Sequence, residues 1–198
     1  MTTTEKFKQK KLLILTGPTC SGKTENSIKI AKEFNLDVIA ADSMQIYKRF
    51  NIGTGKPSKY QREIVRHHLI NLIEPNDSFN AWDYMNLSRD LISKLNNIPL
   101  IAGGTQLYIS SMLNGLSDGV SSNKEVRDQI SMEINSKGSP YVYEQLKKID
   151  IEFANKIKPN DKSRIIRAME IYYTKKQKPS VYLKNNPAKA LANIKIKK

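Results

Sequence analysis

The strongest chemical signal in this chain is a glycine-rich loop at residues 17–24. It has the pattern glycine, four residues, glycine, lysine, threonine, which is typical of a phosphate-binding loop. Backbone N–H groups of such a loop attract a phosphate, the lysine adds positive charge, and the threonine hydroxyl can ligate Mg²⁺. The residues predicted to bind a di- or triphosphate are Gly17, Pro18, Thr19, Cys20, Ser21, Gly22, Lys23 and Thr24, with Thr24 as the magnesium ligand.

Asp42 is the second candidate, because it directly follows the apolar run 36–41. If residues 11–16 and 36–41 are parallel strands, the loop and Asp42 lie at the same carboxyl edge of a sheet and face one crevice. Asp42 could then act in catalysis, bind a metal, or cap a helix together with Ser43. Gly103 and Gly104 follow another apolar run, where they could allow close backbone approach to a ligand or simply form a turn.

The order of elements around these residues predicts the fold. Apolar runs at 11–16, 36–41 and 98–102 are typical of buried strands, and helical patterns occupy 25–34, 81–95 and 106–113. Strands that alternate with helices, without hairpin signals, favour an α/β fold, in which a parallel sheet containing the phosphate-binding loop is covered by helices.

The second half of the chain has a different character. Residues 124–178 are charged, lack strand-like runs and contain short helical patterns, which predict an inserted small helical domain. Asn160 or Asp161 can cap a helix at 162–174. We therefore predict a catalytic core at 1–117, a helical domain at 118–183 and a basic tail at 184–198.

Composition narrows the class of function. The chain has 33 lysines and arginines against 19 acidic residues, a net charge of +14, which favours a polyanionic partner such as nucleic acid. The single cysteine excludes an intrachain disulfide and favours a reducing compartment. No apolar run approaches the roughly 20 residues of a membrane span, so we expect a soluble, cytoplasmic monomer without membrane contact.

Six motifs, in order, resemble those of the tRNA dimethylallyltransferase family. The similarity covers roughly residues 11–183 and rests on the loop 17–24, Ala41-Asp-Ser-Met-Gln-Ile-Tyr47, Asn51-Ile-Gly-Thr-Gly-Lys-Pro57, His67-His-Leu-Ile70, Gly103-Gly-Thr-Gln-Leu-Tyr108 and the segment 160–170. The resemblance implies transfer of a dimethylallyl group from its diphosphate to the exocyclic N6 amine of the adenine beside the tRNA anticodon. The phosphate-binding loop would then hold the prenyl diphosphate rather than ATP.

The resemblance also implies a role for each site residue. Asp42 would be the general base; Thr19, Lys23 and Arg127 would neutralise the departing diphosphate, and Thr24 would carry Mg²⁺. The residues implied to contact tRNA are Asp42, Ser43, Met44, Gln45, Thr105, Arg127, Ser163, Arg164, Ile165, Ile166 and Arg167. A flipped adenine would have to be held near the prenyl carbon.

Three other functions are compatible with the loop and Asp42. An adenylate isopentenyltransferase would act on a free nucleotide, although such an enzyme has little use for a charge of +14. A small-molecule kinase would use Asp42 to activate a hydroxyl group. A non-catalytic tRNA-binding protein is the third, because the family's C-terminal third has no counterpart in the 198 residues; we expect this to impair transfer more than binding.

Two further residues give expectations that a structure can check. Cys20 occupies a position where the family usually has alanine, and we expect it to be a small buried side chain rather than a redox centre. Adjacent His67 and His68 would point in different directions on a regular element, which argues against a metal-binding pair.

Overall fold

The computed structural model describes residues 11–117 and 123–191. These residues form two compact units, one containing 11–115 with 190–191, the other 116–117 with 123–189. Within the described ranges, no helix combines the length and apolar character that crossing a membrane would require. The predicted domain boundaries stay predictions.

The first unit is built on a four-stranded parallel sheet. Its strands are β1 (Leu13–Thr16), β2 (Val38–Ala40), β3 (His67–His68) and β4 (Leu100–Gly103), in the spatial order β1-β4-β2-β3. The α/β fold predicted from the sequence is therefore confirmed. β3 was not predicted, because a two-residue strand made of histidines carries no apolar run.

Helices cover both faces of this sheet. They are α1 (Lys23–Phe34) on one face and α3 (Ala81–Lys94) with α4 (Gln106–Asn114) on the other; the short helix α2 (Lys59–Ile64) has no buried residue. Successive strand residues point to opposite faces; accordingly, Val38 and Leu100 share a hydrophobic cluster with α1, whereas Ile39 and Ile101 share another with α3 and α4. Burial on both faces explains why these strands read as continuous apolar runs.

The second unit is helical in its described part, as predicted. Its helices are α5 (Lys124–Lys137), α6 (Ser139–Ile149), α7 (Ile151–Ala154), α8 (Lys162–Lys175) and α9 (Pro179–Asn185). Leu146, Ile165 and Met169 are fully buried in its core. Asp161 is the residue that caps α8, since its Oδ1 accepts a hydrogen bond from the N–H of Arg164 at 3.1 Å.

Residues 184–191 of the predicted basic tail are described, and they contain the end of a helix and a contact with the rest of the first unit. Helix α9 continues to Asn185. The N–H of Leu191 donates to the carbonyl of Leu113 at 2.7 Å, and its side chain packs against the hydrophobic cluster of the first unit. The rest of the predicted tail, 192–198, lies outside the described residues.

Candidate active site

The carboxyl edge of the sheet brings the loop and Asp42 together. Because all four strands are parallel, β1 delivers the glycine-rich loop at the same edge where β2 ends before Asp42. A crevice at this edge is lined by side chains that include Lys23, Thr24, Asp42 and Gln45. The structure thus places the predicted base and two of the predicted phosphate-binding residues, Lys23 and Thr24, around one space, while their chemical roles remain predictions.

Left-handed backbone conformations shape the glycine-rich loop. Cys20 and Gly22 have φ values of 64° and 73°, and α1 begins directly after Gly22 without a side-chain cap on its first turn. The Lys23 ammonium donates to the carbonyl of Pro18 and lies 3.4 Å from Ser21 Oγ. The N–H groups of the first helical turn and the lysine therefore lie together, as phosphate binding requires.

Cys20 itself is exposed. The expectation that it would be a buried small side chain is wrong, because residues 18–22 of the loop stand out from the sheet edge and are exposed. An exposed position in the loop suits a residue that contacts a ligand through its backbone.

Thr24 is tied to a second glycine-containing segment. Its hydroxyl donates to the carbonyl of Gly55 at 3.1 Å, and the amide of Gln45 donates to the same oxygen at 3.1 Å. Gly55 has φ 61°, in the left-handed region that glycine occupies without strain. The motif 51–57 therefore braces the loop and the segment after Asp42, a role that its sequence did not reveal.

The carboxylate of Asp42 is oriented by the backbone that follows it. Oδ1 accepts hydrogen bonds from the N–H groups of Met44 at 2.8 Å and Gln45 at 3.3 Å. Within the described residues, no hydrogen bond occupies Oδ2. One oxygen thus holds the side chain in place, and the other is the candidate proton acceptor.

Strand β4 approaches β2 very closely at this edge. A Cβ added to Gly103 would lie 2.1 Å from the carbonyl oxygen of Ala41, so only glycine fits. The N–H of Thr105 donates to that same oxygen at 3.0 Å, and the Thr105 hydroxyl accepts from the N–H of Ser43 at 3.0 Å. The close approach at Gly103 is therefore to the backbone just after β2, whereas Gly104 lies beside Gly17 and Lys23 of the glycine-rich loop. Thr105 supports the segment that carries Asp42.

The two histidines have separate structural partners. His67 Nδ1 hydrogen-bonds the carbonyl of Val65, and His68 Nε2 lies 2.7 Å from Asp37 Oδ2. Burial would raise the pKa of Asp37, but hydrogen bonds from His68 and Asn97 outweigh it and hold that pKa below its usual value. Burial lowers the pKa of His67 and outweighs the hydrogen bond to Val65, which raises it; the charges of Arg62 and His68 lower it slightly further. Across the described residues, no cluster of three His, Cys, Asp or Glu side chains could hold a metal.

The other predicted site residues lie in the second unit. Arg127 is half-buried in the first turn of α5. On α8, Ser163 and Arg164 are exposed, Ile166 is half-buried, and Arg167 Nη1 lies 2.8 Å from Glu170 Oε2. Ile165 is fully buried in the helical core, so its side chain is dropped from the proposed RNA contacts. The apolar periodicity of α8 was the sequence signal for this burial.

Comparison with known proteins places the chain in a family. The family model described as IPP transferase matches residues 45–197. The chain belongs to this family. A tRNA dimethylallyltransferase from Alkaliphilus oremlandii is 42% identical over 168 residues, which is 83% of this chain and 54% of that protein. One from Caldicellulosiruptor bescii is 40% identical over 177 residues, 87% of this chain and 56% of that protein. The resemblance inferred from the motifs is confirmed.

Solved structures of the family share this fold. A eukaryotic dimethylallyltransferase whose structures show it acting on tRNA matches with a TM-score of 0.75 at 29% identity, over 93% of this chain and 47% of that one. The full-length tRNA isopentenylpyrophosphate transferase of Bacillus halodurans matches with a TM-score of 0.54 at 36% identity, over 84% and 56%. The chain thus spans about half the length of the family relatives that it matches.

Proposed function

We propose that this protein transfers a dimethylallyl group from dimethylallyl diphosphate to the exocyclic N6 amine of the adenine 3′-adjacent to the tRNA anticodon. The observation that carries the proposal is the single crevice in which Lys23 and Thr24 of the glycine-rich loop meet Asp42. A diphosphate site and a carboxylate base are the two elements that this reaction needs. The family membership supports the choice of this reaction over phosphoryl transfer.

In the proposed reaction, the N6 amine attacks the first carbon of the dimethylallyl group as the bond from that carbon to the diphosphate oxygen breaks. The Oδ2 atom of Asp42 takes the proton that N6 loses, while Oδ1 stays bonded to the N–H groups of Met44 and Gln45. The N–H groups of the loop and the Lys23 ammonium stabilise the departing diphosphate. Such preorganised electrostatic stabilisation is usually the largest single contribution to catalysis. Thr19 and Arg127 are proposed to share this task.

The donor chemistry of the crevice fits Mg²⁺. The Thr24 hydroxyl and the Asp42 carboxylate offer hard oxygen atoms, and Mg²⁺ typically takes few protein ligands and completes its shell with water and substrate phosphates. The Thr24 hydroxyl gives its hydrogen to Gly55 and keeps oxygen lone pairs for a cation. We propose Thr24 as the protein ligand of Mg²⁺, which would neutralise charge on the diphosphate.

The tRNA is proposed to contact both units through the residues named from the sequence. Around the crevice these are Asp42, Ser43, Met44, Gln45 and Thr105; the helical unit contributes Arg127, Ser163, Ile166, Arg167 and above all Arg164, whose side chain is 67% exposed. The net charge of +14 supports a polyanionic substrate over a free nucleotide. A tRNA substrate is consistent with a monomeric, cytoplasmic enzyme, which remains a prediction.

The test is to incubate the 198-residue chain with labelled dimethylallyl diphosphate, Mg²⁺ and unmodified tRNA that carries adenine beside the anticodon. Label on that adenine, with none on a tRNA that has guanine there, is the expected result. Label on free AMP would instead identify an adenylate isopentenyltransferase, and phosphoryl transfer from ATP would identify a kinase. Binding of the RNA without any transfer of label would identify a non-catalytic tRNA-binding protein.

A further inference from the structure

A second crevice in the first unit is strongly basic. Five cationic side chains line it, and its described lining contains no carboxylate: Lys48, Arg49, Lys56, Lys59 and Arg62. We call this the basic pocket. Like charges in one concavity repel each other unless an anion or solvent neutralises them. The pocket therefore has the electrostatic character of an anion site.

The cations of the basic pocket are only partly neutralised by the protein. Lys48 and Arg49 share one carboxylate, that of Glu74, at 3.0 and 3.4 Å. Lys56 has neutral partners instead, since its ammonium donates to the carbonyl of Tyr47 at 2.7 Å and to Asn71 Oδ1 at 2.8 Å. Burial, and then the charge of Arg62, lower the pKa of Lys56. The fold thus holds this lysine in place, and no carboxylate among the described residues pairs with it.

Lys59 and Arg62 lie on α2 and make no ion pair with any described residue. The buried Nε atom of Arg62 also lacks a hydrogen-bond acceptor in the described part of the chain. A guanidinium without a carboxylate partner is well suited to bind phosphate, because its donors match phosphate oxygens in pairs. Two cations of the basic pocket are therefore uncommitted.

The basic pocket adjoins the candidate active site. Pro57 lines both crevices. Asn51, which also lines the basic pocket, is flanked by two exposed apolar side chains, Phe50 and Ile52, the latter 95% exposed. A free diphosphate would leave these apolar groups uncovered, whereas the bases of a single-stranded RNA could pack on them. The surroundings of the pocket therefore favour RNA over a small anion.

We propose that the basic pocket binds a backbone phosphate of the RNA substrate, next to the nucleotide whose adenine enters the active-site crevice. The proposal rests on the proposed function and adds a specific phosphate subsite to it. Lys59 and Arg62 bind the phosphate, and the pocket positions the RNA while the glycine-rich loop binds the prenyl diphosphate.

The first test compares two double variants: one loses two positive charges in the basic pocket, and the other loses two positive charges elsewhere on the first unit. Lys59→Gln with Arg62→Gln is compared with Lys29→Gln and Lys32→Gln, two lysines on α1 that do not line the basic pocket. We expect the pocket variant to bind an anticodon stem-loop RNA about tenfold more weakly, with the slope of log affinity against log salt reduced by about one. The control variant should bind the RNA like the parent, and both should bind dimethylallyl diphosphate like the parent. Equal RNA affinity of the two variants would overturn the subsite.

The second test locates the phosphate. Neutral methylphosphonate groups are placed one at a time on each side of the target adenosine, and the affinity of each RNA is measured with the parent and with the pocket variant. One position should weaken parental binding and have no further effect on the variant; additive losses at every position would overturn the proposal.

Two further outcomes separate the proposals. If the parent binds no RNA and transfers no label, the proposed function fails and the subsite fails with it. If the parent transfers label but the pocket variant behaves like its control, the subsite alone fails.

Loss of inorganic phosphate binding in the variant, with RNA binding unchanged, would show that the pocket takes a free anion instead.

Discussion

Asp42 at the carboxyl edge of the sheet and Glu170 in the helical unit are two carboxylates in different surroundings. At the sheet edge, Asp42 and Lys23 are held by backbone atoms: Asp42 accepts from two N–H groups, and Lys23 donates to a carbonyl. In the helical unit, the fully buried Glu170 accepts from the N–H of Asn123 at 2.9 Å and pairs with Arg167. Asp42 therefore keeps one carboxylate oxygen for a substrate, whereas Glu170 is enclosed in the helical unit and mainly stabilises its fold.

This difference affects which residues suit catalysis. The backbone of a turn can orient a carboxylate without neutralising it, as the segment after Asp42 does. An ion pair in a protein interior offsets the desolvation of both groups, and removing one partner leaves the other uncompensated. We therefore expect substitution of Asp42 to change the rate of transfer, and substitution of the buried Glu170 to change stability.

Asp42→Asn should produce the largest effect. Asparagine keeps an oxygen for the N–H groups of Met44 and Gln45 but cannot accept the proton, so we expect transfer to fall by about 10²-fold or more, the usual contribution of a general base. Dimethylallyl diphosphate binding and thermal stability should remain at the parental level. Asp90→Asn, at an exposed carboxylate on α3 paired with Lys94, serves as the control and should leave transfer unchanged. If Asp42→Asn transferred the dimethylallyl group at the parental rate, Asp42 would only stabilise the turn and would not be the general base.

Glu170→Ala should have the next largest effect, on stability. It removes the acceptor of the Asn123 N–H and the buried carboxylate that pairs with Arg167, so we expect a loss of about 3 kcal/mol in the free energy of unfolding, measured by urea denaturation. Glu144→Ala removes an exposed carboxylate whose pair with Lys147 spans 3.9 Å, and should change stability by less than about 0.5 kcal/mol. Similar losses in both variants would contradict the structural role of Glu170.

Gly103→Ala tests the close approach of β4 to β2. The added methyl group would collide with the backbone of Ala41, and no side-chain movement can relieve this collision. We therefore expect a loss of about 1–3 kcal/mol in the free energy of unfolding. Gly104→Ala places its methyl group 3.5 Å from the nearest atom, the carbonyl oxygen of Gly17, and should cost clearly less. If the two substitutions were equally well tolerated, the strands would not be packed as described.

The smallest expected effect concerns pH and His67. Because the folded-state pKa of His67 is lowered below 6.5, the unfolded chain binds the proton more readily, and the stability from this group is complete above pH 6.5 and declines as pH falls below it. Asp37 affects stability in a separate pH range: because its folded-state pKa is lowered, its contribution to the free energy of unfolding is lost only as pH falls below 3.8. His67→Asn, whose amide can still donate to Val65, should flatten the change in unfolding free energy between pH 7 and pH 5. An unchanged slope would show that His67 does not cause it.

Local patterns were sufficient to predict much of this protein. The glycine-rich loop, the strand before it and Asp42 after the next strand each have a signature within a few residues, because turn geometry and strand burial depend on neighbours in the chain. Parallel strands then bring their carboxyl ends together. The crevice containing Lys23, Thr24 and Asp42 follows from these facts alone.

Contacts between distant segments were decided only by the tertiary structure. Gly55 accepts hydrogen bonds from Thr24, 31 residues away, and from Gln45; Gly103 is required by the backbone of Ala41; and β3 exists because His67 and His68 pair with β2. The five cations of the basic pocket all lie within residues 48–62, but only the folded segment brings their side chains around one space. Such contacts form only when distant segments pack together. The residues next to each partner in the chain therefore do not predict the contact.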